Sequence, residues 1–244
     1  MKNFGIIGYP LTHTFSPSYF NNKFKDANID AFYDRYPLED ISEFCALTEQ
    51  KKFVGMNVTI PHKQAIMPLL DEIDIAASQI GAVNTIKFVN GKSIGYNTDA
   101  YGFEISLLDL IQSPEKIDGA LVLGAGGAAK AVCFVLEKLG ISYEIVSRSK
   151  GDFKYDDINQ DVMNRHHLII NTTPLGMSPD VKSAPVIPYE CLNEKYFLYD
   201  LVYNPEKTIF LTEGLERGCK IKNGYDMLIL QAEKAWDIWN QPET

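Results

Sequence analysis

The sequence predicts an α/β fold containing a dinucleotide-binding unit, and three observations carry that reading. Leu121-Val-Leu-Gly124-Ala-Gly126-Gly127-Ala128-Ala129-Lys130 is an apolar run that breaks into glycines and then resumes as a helical pattern ending at Gly140. A second strand pattern, Tyr143-Glu-Ile-Val-Ser147, follows it. Along the whole chain, short apolar runs alternate with amphipathic stretches of helical length, the order that builds parallel sheets with helical crossovers.

The glycine-rich turn is specific in its chemistry. Gly124 can adopt the φ values of a tight strand-to-helix turn, Gly126 lets backbone approach a ligand closely, and Ala129 is small enough for the helix to lie against the strand. The helix start at Gly127 and Ala128 offers free N–H groups and a positive dipole end to an anion, commonly a dinucleotide pyrophosphate. NAD folds place an acid about twenty residues further on, to hold the ribose 2′-hydroxyl. This chain has Ser147-Arg148-Ser149-Lys150 instead. A guanidinium flanked by two hydroxyls binds a 2′-phosphate through charge-assisted hydrogen bonds, so the expectation is NADP. The alternative is that Arg148 and Lys150 are solvated loop cations.

Composition bounds the rest. The 244 residues are 45% hydrophobic and 23% charged, values of a globular protein of one large domain or two ordinary ones. A formal net charge of −9 argues against nucleic acid or an anionic membrane as the main partner, while leaving room for an anionic small molecule at a locally basic site. No signal sequence or membrane-length apolar run is evident, so the expected location is cytoplasmic. The four cysteines are scattered without metal-ligand spacing, so they are expected to be reduced and no metal is expected.

Taken in order, Phe4–Gly8 reads as a strand, and Ser16 as the N-cap of a helix with Pro17 at its first position. Ala31–Tyr36 is a strand and Leu38–Gln50 a helix. Gly55–Ile60 is a strand, followed from Pro61 to Leu70 by a helix and from Ile73 to Ile80 by a shorter one. Val83–Phe88 and Ser93–Tyr96 form a hairpin around Asn90-Gly91, expected at a sheet edge. A helix from Asp99 through Leu110 leads into the dinucleotide unit. Strands follow at Leu168–Asn171, Tyr196–Asp200 and Lys220–Lys222, with a helix at Lys207–Arg217 stopped by Gly218. The last element is an amphipathic helix, Met227–Trp239, whose apolar stripe carries Gln231, a polar residue that needs either a backbone partner or a cleft.

Hydride chemistry requires groups that orient a carbonyl or alcohol and move one proton. Asn57-Val-Thr59-Ile60-Pro61-His62-Lys63 is one candidate cluster. Lys63 falls in the opening turn of the expected helix, where the dipole would pull its pKa down, although most lysines are plain surface charges. Gly81-Ala-Val-Asn84-Thr85 and Gly95-Tyr-Asn97-Thr98-Asp99 supply amides, hydroxyls and a carboxylate at the hairpin ends. Asp99 also suits an N-cap, and beside Lys63 it would make a proton-transfer pair.

With these motifs in place the chain resembles the shikimate dehydrogenase family nearly end to end. The likeness runs through Gly8-Tyr-Pro10 with His13-Thr14-Phe15-Ser16-Pro17, the Asn57–Lys63 and Gly81–Thr85 segments, and Asn97-Thr98-Asp99 with Gly102. It continues through Gly124–Ala129, Asn171-Thr172-Thr173-Pro174-Leu-Gly176-Met177, Asp200-Leu-Val-Tyr203-Asn204-Pro205, and Asn223-Gly224-Tyr225 with Gln231. The resemblance implies two α/β domains: an N-terminal substrate domain, 1–99 plus 225–244, and a Rossmann-type NADP-binding domain, 100–224, with the C-terminal helix returning to the first. It implies NADP-dependent interconversion of 3-dehydroshikimate and shikimate in aromatic amino-acid biosynthesis, by a monomer or homodimer.

The resemblance also assigns roles. Lys63 and Asp99 form the catalytic pair; Thr14, Ser16 and Tyr203 hold the substrate carboxylate; Thr59, Asn84, Asp99 and Gln231 bind ring hydroxyls. Gly126, Gly127 and Ala128 cradle the pyrophosphate, with Gly124 in the same cofactor-binding turn; Ser147, Arg148 and Ser149 hold the adenosine phosphate, and Thr172 and Gly224 lie along the cofactor. The chain departs from the family in having Thr14 where serine is usual, Ser147 in place of asparagine, and short loops around Gly151 and Asp180. Quinate as a second substrate, a related paralogue, or a non-catalytic NADP-binding module remain as alternatives.

Overall fold

The computed structural model describes residues 1–11 and 14–242 and divides into two compact units, Met1–Thr98 with Ala232–Thr244, and Asp99–Gln231. His13 of the sequence motif lies outside the described residues.

In the first unit, β1 (Lys2–Gly8) pairs in parallel with β2 (Ala31–Pro37) on one side and β3 (Gly55–Val58) on the other. The sheet has the order β2-β1-β3-β5-β6-β4, where β4 is Glu72–Ile73, β5 Thr85–Val89 and β6 Lys92–Tyr96. The β5–β6 hairpin turns at Asn90 and Gly91, with φ of 51° and 76°, the left-handed pair of a tight two-residue turn. It is not at the edge as expected: the two-residue β4 pairs outside β6, a strand too short to announce itself in sequence.

The helices of this unit are α1 (Phe15–Asp26), α2 (Glu43–Gln50) and α3 (Ile75–Ile80). Three sequence expectations change here. The N-cap of α1 is Thr14, which moves Ser16 and Pro17 into the first turn, where a missing N–H costs nothing. Asp40 accepts from the Ser42 N–H and ties 38–42 into a turn, so α2 begins five residues later than Leu38. Residues 60–66 form consecutive turns and 67–69 a 3₁₀ turn in place of one helix from 61 to 70. Pro68 has no N–H for the Gln64 carbonyl and biases Met67 away from helix, which is enough to break a short segment.

Two apolar clusters hold the sheet. One joins Phe4, Phe20, Phe24 and Tyr33 to Ala235, Ile238 and Trp239 near the C-terminus; the other gathers Ile7, Phe44, Met56, Val58, Ile66 and Ile86. Trp239 donates to the Ile86 carbonyl at 3.0 Å and lies over Gly55, where a Cβ would come within 2.2 Å of its indole nitrogen. Only glycine at position 55 lets that ring seat on β3.

The second unit is a parallel sheet of order β11-β10-β9-β7-β8: β7 Ala120–Leu123, β8 Tyr143–Val146, β9 Leu168–Asn171, β10 Phe197–Asp200 and β11 Lys220–Lys222. Its helices are α4 (Asp99–Ile111), α5 (Gly127–Lys138), α6 (Gln160–Arg165), α7 (Ile209–Glu216) and the first part of α8 (Tyr225–Asn240). The short α6 was not anticipated; Asn159 caps it, accepting from the N–H groups of Asp161 and Val162. Gly140 and Gly218, at φ of 70° and 80°, follow the ends of α5 and α7 as helix stops. At Gly102 a Cβ would lie 2.6 Å from the Met227 carbonyl, so glycine permits the close crossing of α4 and α8.

Candidate active site

In the second unit the chain leaves β7, runs to β8 on one side, then crosses to β9 on the other. The crevice outside the carboxyl ends of β7 and β9 is therefore a topological switch point, where open α/β sheets receive ligands. Gly124 and Thr172 meet there. Gly124 has φ of 112°, and a Cβ on it would lie 2.6 Å from the Thr172 hydroxyl oxygen. Thr172 in turn donates its hydroxyl to the Leu123 carbonyl at 2.8 Å.

Gly126 is the N-cap of α5 and satisfies no helix N–H with a side chain. A Cβ at Gly126 would meet nothing within 4 Å, and the first turn of α5, beginning Gly127-Ala128, holds no acid. The result is an open approach to the positive end of a twelve-residue helix. Ala129, in the first turn of α5, is buried.

Past β8, Ser147 is buried and its Oγ accepts from the N–H groups of Ser149 and Lys150, at 3.3 and 2.7 Å. That turn presents Arg148 and Ser149 to solvent. The Ser147 hydroxyl shapes the loop, a role the sequence did not reveal. At the end of β10, burial pushes the Asp200 carboxyl up to about 6, although Thr208, Val202 and Asn171 all donate to it. Gly224 packs its backbone onto the end of this strand, where a Cβ would fall 2.1 Å from the Leu201 carbonyl. Burial also raises the Tyr203 phenol. Asp99 is the first residue of α4. Gln231 on α8 donates to the Leu228 carbonyl at 2.9 Å, the backbone alternative foreseen for it.

In the first unit the candidates gather at the carboxyl ends of β1 and β3. The Thr59 N–H donates to Ile7, and its methyl packs over Gly8, where a Cβ would lie 2.4 Å away. The Lys63 carbonyl accepts from the Val83 N–H at 2.7 Å, which binds its turn to the residue before Asn84. Because Lys63 sits in turns, the helix-dipole argument for it falls away. The Asn84 amide is fixed: its oxygen accepts from the Thr98 N–H at 2.7 Å, and its nitrogen donates to the Thr98 hydroxyl at 3.0 Å. Thr85 and Asn57 continue this buried polar chain to the Tyr33 phenol. Thr14 accepts from the Arg35 Nε at 3.0 Å. Among the described residues, no group of His, Cys, Asp and Glu could hold a metal ion.

A glycine-turn parallel sheet joined to a second, mixed α/β unit defines a two-domain protein with a Rossmann-type dinucleotide fold. Residues 6–86 match the family model described as the shikimate dehydrogenase substrate binding domain. A shikimate dehydrogenase (NADP⁺) of Methanococcus maripaludis is 38% identical over 98% of this chain and 91% of its own length. The crystal structure of shikimate dehydrogenase from Aquifex aeolicus superposes with a TM-score of 0.89 at 34% identity, covering 100% of this chain and 94% of that one. The Thermus thermophilus enzyme in complex with NADP(H) and shikimate gives 0.85 at 31% identity, covering 98% and 94%. The chain belongs to the shikimate dehydrogenase family.

Proposed function

We propose that the protein is an NADP-dependent oxidoreductase interconverting shikimate and 3-dehydroshikimate, in the pathway to aromatic amino acids. The observation that carries this reading is the 38% identity, sustained over almost the entire chain, to a relative named for that activity and cofactor. The structure fits the cofactor in two respects. Gly126 leaves open space before an uncapped, acid-free helix start, and Arg148 stands exposed past β8 with no carboxylate in its own turn.

Bound NADP supplies the hydride acceptor in one direction and, reduced, the donor in the other. Gly126, Gly127 and Ala128 present backbone N–H groups and room for the pyrophosphate, and Gly124, whose own N–H is given to the Val146 carbonyl, makes the cofactor-binding turn before them. Ser147 shapes the turn from which Arg148 and Ser149 reach the 2′-phosphate, and Thr172 and Gly224 border the cofactor. Thr14, Ser16 and Tyr203 receive the substrate carboxylate, and Thr59, Asn84, Asp99 and Gln231 its ring hydroxyls. Lys63 takes the proton from the reacting hydroxyl as the hydride leaves carbon, and returns it to the carbonyl oxygen in reduction. Asp99 is its carboxylate partner. Domain 1–99 with 225–244 takes substrate and domain 100–224 takes NADP.

The protein acts on small molecules, with neither nucleic acid nor membrane as partner, as a monomer or homodimer in the cytoplasm, the setting of the biosynthetic role. No helix among the described residues is long and apolar enough to cross a membrane. The test of the mechanism is Lys63→Ala. Loss of a positioned acid–base group is expected to lower kcat by about 10²-fold or more, with NADP binding intact. An unchanged kcat would remove Lys63 from the chemistry.

A further inference from the structure

We propose that Arg35 is a positioning and specificity residue, holding the Thr14 hydroxyl as a donor toward the substrate carboxylate and adding positive potential beside it. The inference rests on the reading that Thr14 receives that carboxylate. Arg35 lies opposite Ile6 in the β1–β2 register, and Thr14 is the N-cap of α1. The Arg35 Nε donates to Thr14 Oγ1 at 3.0 Å.

Thr14 occupies the N-cap of α1, yet its side chain makes no capping hydrogen bond. The hydroxyl is therefore oriented by the guanidinium and not by the helix. A hydroxyl has one proton and two lone pairs, and with one lone pair engaged by Nε–H its own proton turns away from the cation. Threonine's restricted χ1 keeps that orientation more firmly than serine would. The first turn of α1 has no acid. The exposed Asp34 carboxylate, next in sequence to Arg35, accepts from the Arg35 backbone N–H at 2.8 Å and offsets part of the local positive potential. In a chain of net charge −9, an anionic substrate meets a repulsive field overall, which the exposed Arg35 offsets locally beside Thr14.

The experiment measures kcat and KM for shikimate and for its uncharged methyl ester, with wild type, Arg35→Gln, Arg35→Lys and Thr14→Ala, after melting curves establish that each is folded. Arg35→Gln is expected to raise KM for shikimate about tenfold, with kcat and the ester's KM within about twofold. Arg35→Lys, which keeps charge without the planar donor, should fall between. Equal shifts for acid and ester would mark a merely structural arginine and overturn the proposal. If Thr14→Ala raises KM for shikimate while Arg35→Gln does not, the proposal fails and the carboxylate site stands. If Thr14→Ala has no effect on KM, the carboxylate reading of Thr14 fails and the proposal falls with it, whatever Arg35→Gln does.

Discussion

Asp200 shows how far a single side chain can depart from its sequence reading. It was legible as the end of a strand, but not as a fully buried carboxyl receiving Asn171, Val202 and Thr208, because those partners come from the end of β9 and from the connection between β10 and α7. Burial outweighs these bonds and raises its pKa to about 6. The folded state thus prefers the neutral acid. Its contribution to stability is full below the ordinary aspartate range near 4, and is lost as pH rises through about 6. Relative to Asp200→Asn, wild type should lose about 2 kcal/mol between pH 4 and pH 7, with little further change above. Urea midpoints for both proteins across that range measure this; parallel profiles would contradict it. Arg35 was equally hidden, since a lone arginine in an edge strand carries no signal until its strand register is known. The position of Asn84 was readable from its motif, whereas the hydrogen bonds from Thr98 that orient it were not.

Among the elements, the strand–turn–helix at 120–138 was legible because an apolar run, a glycine turn that needs the positive φ of Gly124, and a helical pattern follow one another directly. Two glycines of that turn are predicted to separate stability from binding. Alanine at 124 meets both a φ of 112° and Thr172, so Gly124→Ala should destabilise by about 1–3 kcal/mol in denaturant titrations. Alanine at 126 meets no protein atom and should leave stability within about 0.5 kcal/mol. The same methyl occupies the space where the pyrophosphate is to approach, so Gly126→Ala should weaken NADP binding about tenfold or more by calorimetry. Equal effects of the two substitutions on stability would show that the turn is only structural. The loop after β8 offers a companion test. Arg148→Ala should lower kcat/KM for NADP by about 10- to 100-fold, the range of a lost charged hydrogen bond, and leave that for NAD unchanged. Elements were missed where local pattern was weakest: the two-residue β4, the six-residue α6, and the segment 61–70, in which Pro68 outweighed apolar spacing.

At the scale of the molecule, the mixed sheet and the parallel sheet were both foreseeable, since hairpin chemistry at Asn90-Gly91 and glycine stops at 140 and 218 punctuate the chain clearly. Strand order was less so. That β4 closes the outer edge and that β7 and β9 flank the switch point depend on pairings between residues far apart in sequence. The central claim concerns what the assembled chain does, and steady-state absorbance at the nicotinamide band tests it most directly. Purified protein is given shikimate or quinate with NADP or NAD, in all four combinations. The account predicts rapid reduction with shikimate and NADP and far slower turnover in the other three. No turnover with any pair, in protein that binds NADP, would contradict it and point to a binding module built on the same fold.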